Sequence, residues 1–252
     1  MGRALGPVAR GAAAVEDIVI LGIETAVENV GVAVGDHRGI RAQATVASDR
    51  RHAESLAPMV SFIMEQAGLV MSDLSAVAVD VGPGLFTGMR VGIATAKSVA
   101  WALELPVVPV CSLDALALQA SWADIPVAAA IDARRGEVYW ALYAPRPDGN
   151  GHVRIADPVV TSPDDLAVHL ADRAEDIVCL GSGFSRHAEL FGTPPWMRTT
   201  GTGTAHPSAS DVVALATQRI VHDDTVDAAS VEPMYLRAPD AEINWQTREA
   251  AR

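Results

Sequence analysis

The sequence has 252 residues, half of them apolar, enough for one large or two modest domains with a full core. Acidic residues outnumber basic ones by 31 to 19, a formal net charge of −12, which makes the chain by itself a poor ligand for a polyanion such as tRNA or duplex DNA. No stretch of about 18 apolar residues runs without polar interruption, which argues against a membrane span, and the two cysteines, Cys111 and Cys179, read as buried free thiols of a cytoplasmic protein.

In chain order, residues 1–17 lack the uninterrupted apolar core of a signal peptide and read as a disordered extension. Residues 18–34 predict a hairpin with Glu24 and Thr25 at its tip and a turn at Glu28-Asn29, followed by a third strand over RAQATVAS. Residues 52–69 predict a helix. Leu56, Met59, Val60, Ile63, Met64 and Ala67 share one side, and Phe62 widens the apolar arc to about 200°, more than one core contact needs.

The most informative stretch is 76–104. Ala76–Val81 predicts a buried strand, Gly82-Pro83-Gly84 a break, and the pattern turns helical from about Thr87 to Glu104. Gly88, Gly92, Ala96 and Ala100 recur every four residues as a stripe without bulk, to which something packs closely. Met89, Val91, Ile93, Val99, Trp101 and Leu103 fill most of the remainder, so the helix should be covered on more than one side, by its own sheet and by a further helix or a partner. The glycines either present backbone N–H groups to an anion or only permit the turn and close packing. The spacing is not that of a phosphate-binding P-loop, because Met89 stands where its lysine would be.

LPVVPVC then predicts a strand and SLDALALQASWA a helix. VAAAIDARRGEVYWALYAP repeats the opening hairpin, and at an offset of 108 residues Ile23-Glu24 falls on Ile131-Asp132 and Val30 and Val32 on Val138 and Trp140. Two copies of a unit with an acid at the hairpin tip, facing a cleft, is the layout of actin-like ATPases and sugar kinases. A loop over 145–151, a helix capped by Ser162, a strand DIVCLGSG, a turn at Gly181-Ser182-Gly183, a helix starting at Ser208 and Asp211 and a polar tail after Arg237 complete the chain. The seven histidines include no pair at helical metal-ligand spacing, and no hydrolase signature occurs.

GPGLFTGMRVGIATAKSVAWALELPVVPVCSL, with IETAVENVGVAV and HAESLAPMV upstream and IDARRGEVYWALY and EPMYLR downstream, closely resembles the TsaB (YeaZ-type) family, from about Ile18 to Arg237. The resemblance implies an α/β, actin-like (ASKHA) duplicated two-lobed fold with mixed sheets flanked by helices. It also implies a non-catalytic subunit, acting with a TsaD-like catalytic subunit and a TsaE-like ATPase in making threonylcarbamoyladenosine beside the anticodon of ANN-decoding tRNAs. Aligned through the loop and helix, the histidines of the TsaD metal-binding HxxxH fall on Ser112 and Leu116. Glu24 stands where the family usually has aspartate.

The expected lobes are 18–105 and 106–222, with a C-terminal segment from 223 to 252. The expected partner interface is Met59, Phe62, Ile63, Gly88, Met89, Gly92, Ile93 and Ala96, used for a homodimer when the chain is alone. Candidate nucleotide or anion contacts are Glu24, Thr25, Gly82, Gly84 and Asp132, with ATP or ADP expected only at an interface of the complex. No metal site and no catalytic residue is expected, tRNA is met only through the complex, and no membrane is involved. The alternatives are an actin-like-fold ATPase or small-molecule kinase using Glu24 and Asp132, and a peptidase, which the missing nucleophile motif disfavours.

Overall fold

A computed structural model describes residues 18–47, 52–149 and 151–237. The expected N-terminal extension and the tail beyond 237 lie outside the described residues. Two five-stranded mixed sheets have the same topology. In the first, β1 (Ile20–Glu24), β2 (Asn29–Asp36) and β3 (Gly39–Ala47) run antiparallel, and β4 (Ala76–Gly82) and β5 (Val107–Cys111) add in parallel on the other side of β1. In the second, β6 (Val127–Arg134), β7 (Glu137–Pro145) and β8 (His152–Thr161) form the meander, and β9 (Ile177–Leu180) and β10 (Met197–Thr199) add in parallel. This duplicated 3-2-1-4-5 order is the actin-like arrangement that the repeated hairpin predicted.

β1 and β4 are buried along their whole length, which is why ILGIE and AVAVDVG read as continuous runs and not as alternation. One face of the first sheet carries α1 (His52–Gln66) and α2 (Phe86–Leu103). Its other face carries α7 (Ala209–Ile220). The second sheet is covered on one side by α3 (Ser112–Leu118) and on the other by α4 (Pro163–Ala171), α5 (Ser182–Arg186) and α6 (Ala188–Phe191). α3 and α7 pack against each other between the sheets, joined by Gln119, whose side chain donates to His206 O and Asp211 Oδ2.

The sheets do not follow the expected boundary at 105/106. β5 pairs with β4 and so belongs to the first sheet, and α7, counted with the second lobe, packs on β1 and β2. The segment after α7 returns to the first lobe as well: Val226 and Val107 exchange backbone hydrogen bonds, and Ala228 and Val231 enter its core. The repeat also needs a one-residue correction. Leu21 and Ile23 face the outer helices of the first lobe, whereas the β6 residues facing the outer helices of the second are Ala128 and Ala130. Ile23 therefore corresponds to Ala130, and Glu24 to Ile131, not to Asp132. The match of Val30 and Val32 to Val138 and Trp140 keeps the face, since all four point toward their outer helices.

Candidate interlobe site and outer helix face

β1 ends at Glu24 and β4 carries Asp80 beside it, both fully buried. Glu24 Oε1 accepts from Ala26 N at 2.7 Å, while Asp80 Oδ1 accepts from Gly82 N at 2.7 Å and Ser112 Oγ at 2.6 Å. The remaining oxygens, Glu24 Oε2 and Asp80 Oδ2, are buried and find no donor in the protein. Burial, and then the neighbouring Asp80, hold the Glu24 carboxyl well above the ordinary range, and burial raises Asp80 too. The arrangement fits a protonated Glu24 donating to Asp80.

The turn that follows is shaped by packing. A Cβ on Gly84 would fall inside the carbonyl of Ala26, to which Leu85 N already donates at 2.6 Å, and one on Gly82 would overlap Met89 Sδ. Thr25 Oγ1 donates to Gly88 O at 2.8 Å. Of the five candidate nucleotide contacts, Glu24, Thr25 and Gly82 are thus interior groups serving the fold, and a nucleotide-associated metal cannot approach them without displacing that packing. The residues present do not fit a nucleotide held by these groups. Gly84 and Asp132 lie nearer the surface.

Asp132 is engaged in another way. Arg134 and Arg186 each place Nη2 at 2.7 Å from Glu28 Oε1, bridging the turn of the first hairpin to the second lobe. Both guanidinium groups also lie near Asp132 Oδ2, at 3.6 and 3.4 Å, with His187 at 3.9 Å from Oδ1 and His206 Nδ1 at 3.6 Å from Glu28 Oε2. Burial, and secondarily Arg186, lower the His206 pKa although Glu28 opposes them, so His206 is neutral at neutral pH. Two carboxylates and two arginines close the mouth between the hairpin tips.

The outer helices correct the expected interface. Met59, Ile63, Met89, Ile93 and Ala96 belong to the core of the first lobe, and Gly88 and Gly92 are buried with them. A Cβ on Gly92 would overlap Thr25 Oγ1, so the close partner of the small-residue stripe is the chain's own β1 end, not a second helix. Only Phe62, 52% exposed, is free for a partner among the eight. On α2 the outward residues are Phe86, Thr87, Arg90, Ala94, Ser98, Trp101 and Ala102, and Trp101 is 76% exposed.

Sequence reasoning passed over Asp80, Glu28 and Arg186. Asp80 had a legible signal, an acid inside an otherwise apolar buried strand. Glu28 and Arg186 lie 158 residues apart in chain positions typical of solvated turns, and only the tertiary fold joins them. The positions of the HxxxH pair are filled by Ser112, bonded to Asp80, and by Leu116, which is wholly buried. Burial pushes both thiols, Cys111 and Cys179, up to about 12, so neither is a thiolate nucleophile.

Residues 45–245 match the family model described as "TsaD: tRNA N6-adenosine threonylcarbamoyltransferase". The tRNA threonylcarbamoyladenosine biosynthesis protein TsaB of Escherichia coli is 33% identical over 86% of this chain and 94% of its own length. An uncharacterized protein of Mycobacterium leprae, ML0378, is 37% identical over 88% of this chain, which spans 56% of that longer protein. A Pseudomonas aeruginosa crystal structure, titled as an uncharacterized protein with similarity to peptidase YeaZ, superposes with a TM-score of 0.77 at 31% identity, covering 87% of this chain and 100% of that one. With this sheet order, the buried turn after β4 and these relatives, the chain belongs to the TsaB/YeaZ family.

Proposed function

We propose that this chain is a non-catalytic, activating subunit of the cytoplasmic machinery that places a threonylcarbamoyl group on the adenosine beside the anticodon of ANN-decoding tRNAs. It acts with a TsaD-like catalytic subunit and a TsaE-like ATPase. The observation that carries this reading is the occupation of the two positions that align with the metal-binding histidines of TsaD. Ser112 donates its hydroxyl to Asp80 and Leu116 fills the second core, so neither position offers an imidazole. The acidic surface supports the same division of labour: with a net charge of −12, tRNA contact falls to a partner that supplies cations.

The docking surface for the TsaD-like subunit, and for a second copy when the chain is alone, is the outward face of α1 and α2 around Phe62, Ala94 and Trp101. Exposed Phe and Trp on two adjacent helices are the residue types that dominate interface energetics. Phe62→Glu and Trp101→Glu are expected to weaken capture of the TsaD-like subunit by about thirtyfold or more, with an unchanged melting temperature. Ile93→Glu, by contrast, should unfold the lobe, because Ile93 is core. Reconstituted transfer of the threonylcarbamoyl group should require the partners, and the purified chain alone should neither transfer it nor turn over ATP. Steady ATP hydrolysis by the chain alone would favour the kinase alternative.

A further inference from the structure

Elsewhere on this fold arginines share the chain's own acids: Arg154 and Arg219 meet at Asp114, and Arg134 and Arg186 at Glu28. Arg90, exposed in the second turn of α2, is held by aromatic rings instead. Its guanidinium carbon lies 3.8 Å from the centre of the Phe86 ring and 5.8 Å from that of Tyr235, and the two rings stack at 5.4 Å. Its Nε donates to Tyr235 Oη at 2.8 Å. The attraction between a cation and a ring face fixes the plane of the guanidinium without neutralising its charge. Among the described residues no carboxylate pairs with Arg90, and the bond to Tyr235 uses Nε alone, so the fork of its two terminal nitrogens stays open.

Position adds to this. Arg90 and Trp101 are separated by three helical turns to within about 20°, so they lie in one row of the outward face, about 16 Å apart. Phe86 and Tyr235, 41% and 39% exposed, flank the start of that row. We propose, on the reading that this face docks the TsaD-like subunit, that Arg90 receives a carboxylate of that subunit, and that the partner's surface is acidic opposite the start of α2 and apolar opposite Phe62 and Trp101. A guanidinium fork and a carboxylate form two parallel hydrogen bonds, and Arg, Tyr and Trp are the side chains enriched among those that dominate interfaces. Because the rings and the Tyr235 hydroxyl already order Arg90, docking orders it little further. Once covered, the pair loses the water that weakens an exposed ion pair. The net charge of −12 gives the contact selectivity: an acidic group on a partner is repelled by most of this chain and accepted where an unneutralised cation stands, which sets the orientation of docking.

The experiment measures the affinity of the full chain for the TsaD-like subunit at low and moderate salt, for wild type, Arg90→Gln, Arg90→Lys, Tyr235→Phe and Trp101→Glu, each with its melting temperature. Arg90→Gln is expected to weaken binding about tenfold or more at low salt, with the gap to wild type narrowing as salt rises. Its melting temperature should not change, because the side chain is exposed. Arg90→Lys keeps the charge and loses the fork, so it should retain the salt dependence without the full affinity. Tyr235→Phe keeps the ring stack and removes only the hydroxyl that accepts from Nε, so its loss should be smaller than that of Arg90→Gln. Wild-type binding by Arg90→Gln beside weakened binding by Trp101→Glu would overturn the pairing and leave the docking face standing. Undiminished binding by both would overturn the face and the pairing together. A loss in Arg90→Gln that is the same at every salt concentration, or that Tyr235→Phe matches, would mean that Arg90 acts by bracing the C-terminal segment and would also overturn the pairing.

Discussion

Glu24 and Asp80 are two carboxyl groups in a space that water does not reach, and their cost to the fold depends on pH. In the unfolded chain Glu24 titrates near its ordinary value of 4.5; in the folded chain burial and Asp80 keep it protonated well above that. A folded pKa above the unfolded one means that the associated stability is complete below about 4.5 and is lost progressively as pH rises toward the folded value. Each proton retained only by the folded state gives a slope of about 1.4 kcal/mol per pH unit across that window. Glu24→Gln supplies a permanent donor to Asp80 Oδ2 and abolishes the Glu24 titration. Urea unfolding between pH 5 and about pH 8 should therefore show wild-type stability falling with pH and a flatter profile for the variant. Parallel profiles would show that the two acids do not share a proton. The groups around the pair, Ser112, the Gly82 and Ala26 N–H groups and the more distant Asp114, are common to both proteins and leave the comparison intact.

At the scale of elements, α2 shows what a helical wheel can and cannot resolve. The small-residue stripe, the wide apolar arc and the turn before it were all legible, because periodicity and glycine spacing are local properties. What covers the stripe was not legible. A row of Gly and Ala accepts a strand end as readily as a helix, and here Thr25, bonded to Gly88 O, fills the groove. Gly92→Ala consequently has a definite outcome: the added methyl meets buried Thr25, and thermal or urea unfolding should report a loss of about 1–3 kcal/mol in the isolated chain. Unchanged stability with impaired partner capture would restore the reading in which a second helix occupies the stripe. β8 escaped sequence detection for a related reason. It is an edge strand with Pro158 inside it and only half-buried alternation, and proline demotes a run to non-strand unless its edge position is known. β10 is three residues long and α5 and α6 five and four, too short for any period to develop.

For the whole molecule, the hairpin duplication was readable because both copies preserve an apolar run, a turn and a second run. Its one-residue offset was not, since residue spacing does not reveal which face of a strand meets which helix layer. That offset sends Glu24 inward to Asp80 and leaves the largely covered Asp132 among Arg134 and Arg186. The lobes are consequently tied at their tips by charge. They are also tied by α3 and α7, and by the C-terminal segment, where Met234 N donates to Val81 O at 2.7 Å and Arg237 Nη1 to Ala133 O at 3.3 Å. Among these ties the Glu28 cluster is the weakest and the most exposed, with Arg134 and Arg186 each nearly half accessible. Glu28→Gln removes the anion that both guanidinium groups share and leaves them with Asp132 alone. Discounted for that exposure, the loss should be about 1 kcal/mol, which raises local opening about fivefold. Hydrogen exchange should accordingly speed up by that factor at residues 24–29 and 132–137 and stay unchanged in α4, which packs on the outer face of the second sheet. The wild-type tips should approach the variant's rates as salt is raised, because screening acts on the same charges. Equal exchange in the two proteins at low salt would mean that the central helices and the C-terminal segment alone hold the lobes together.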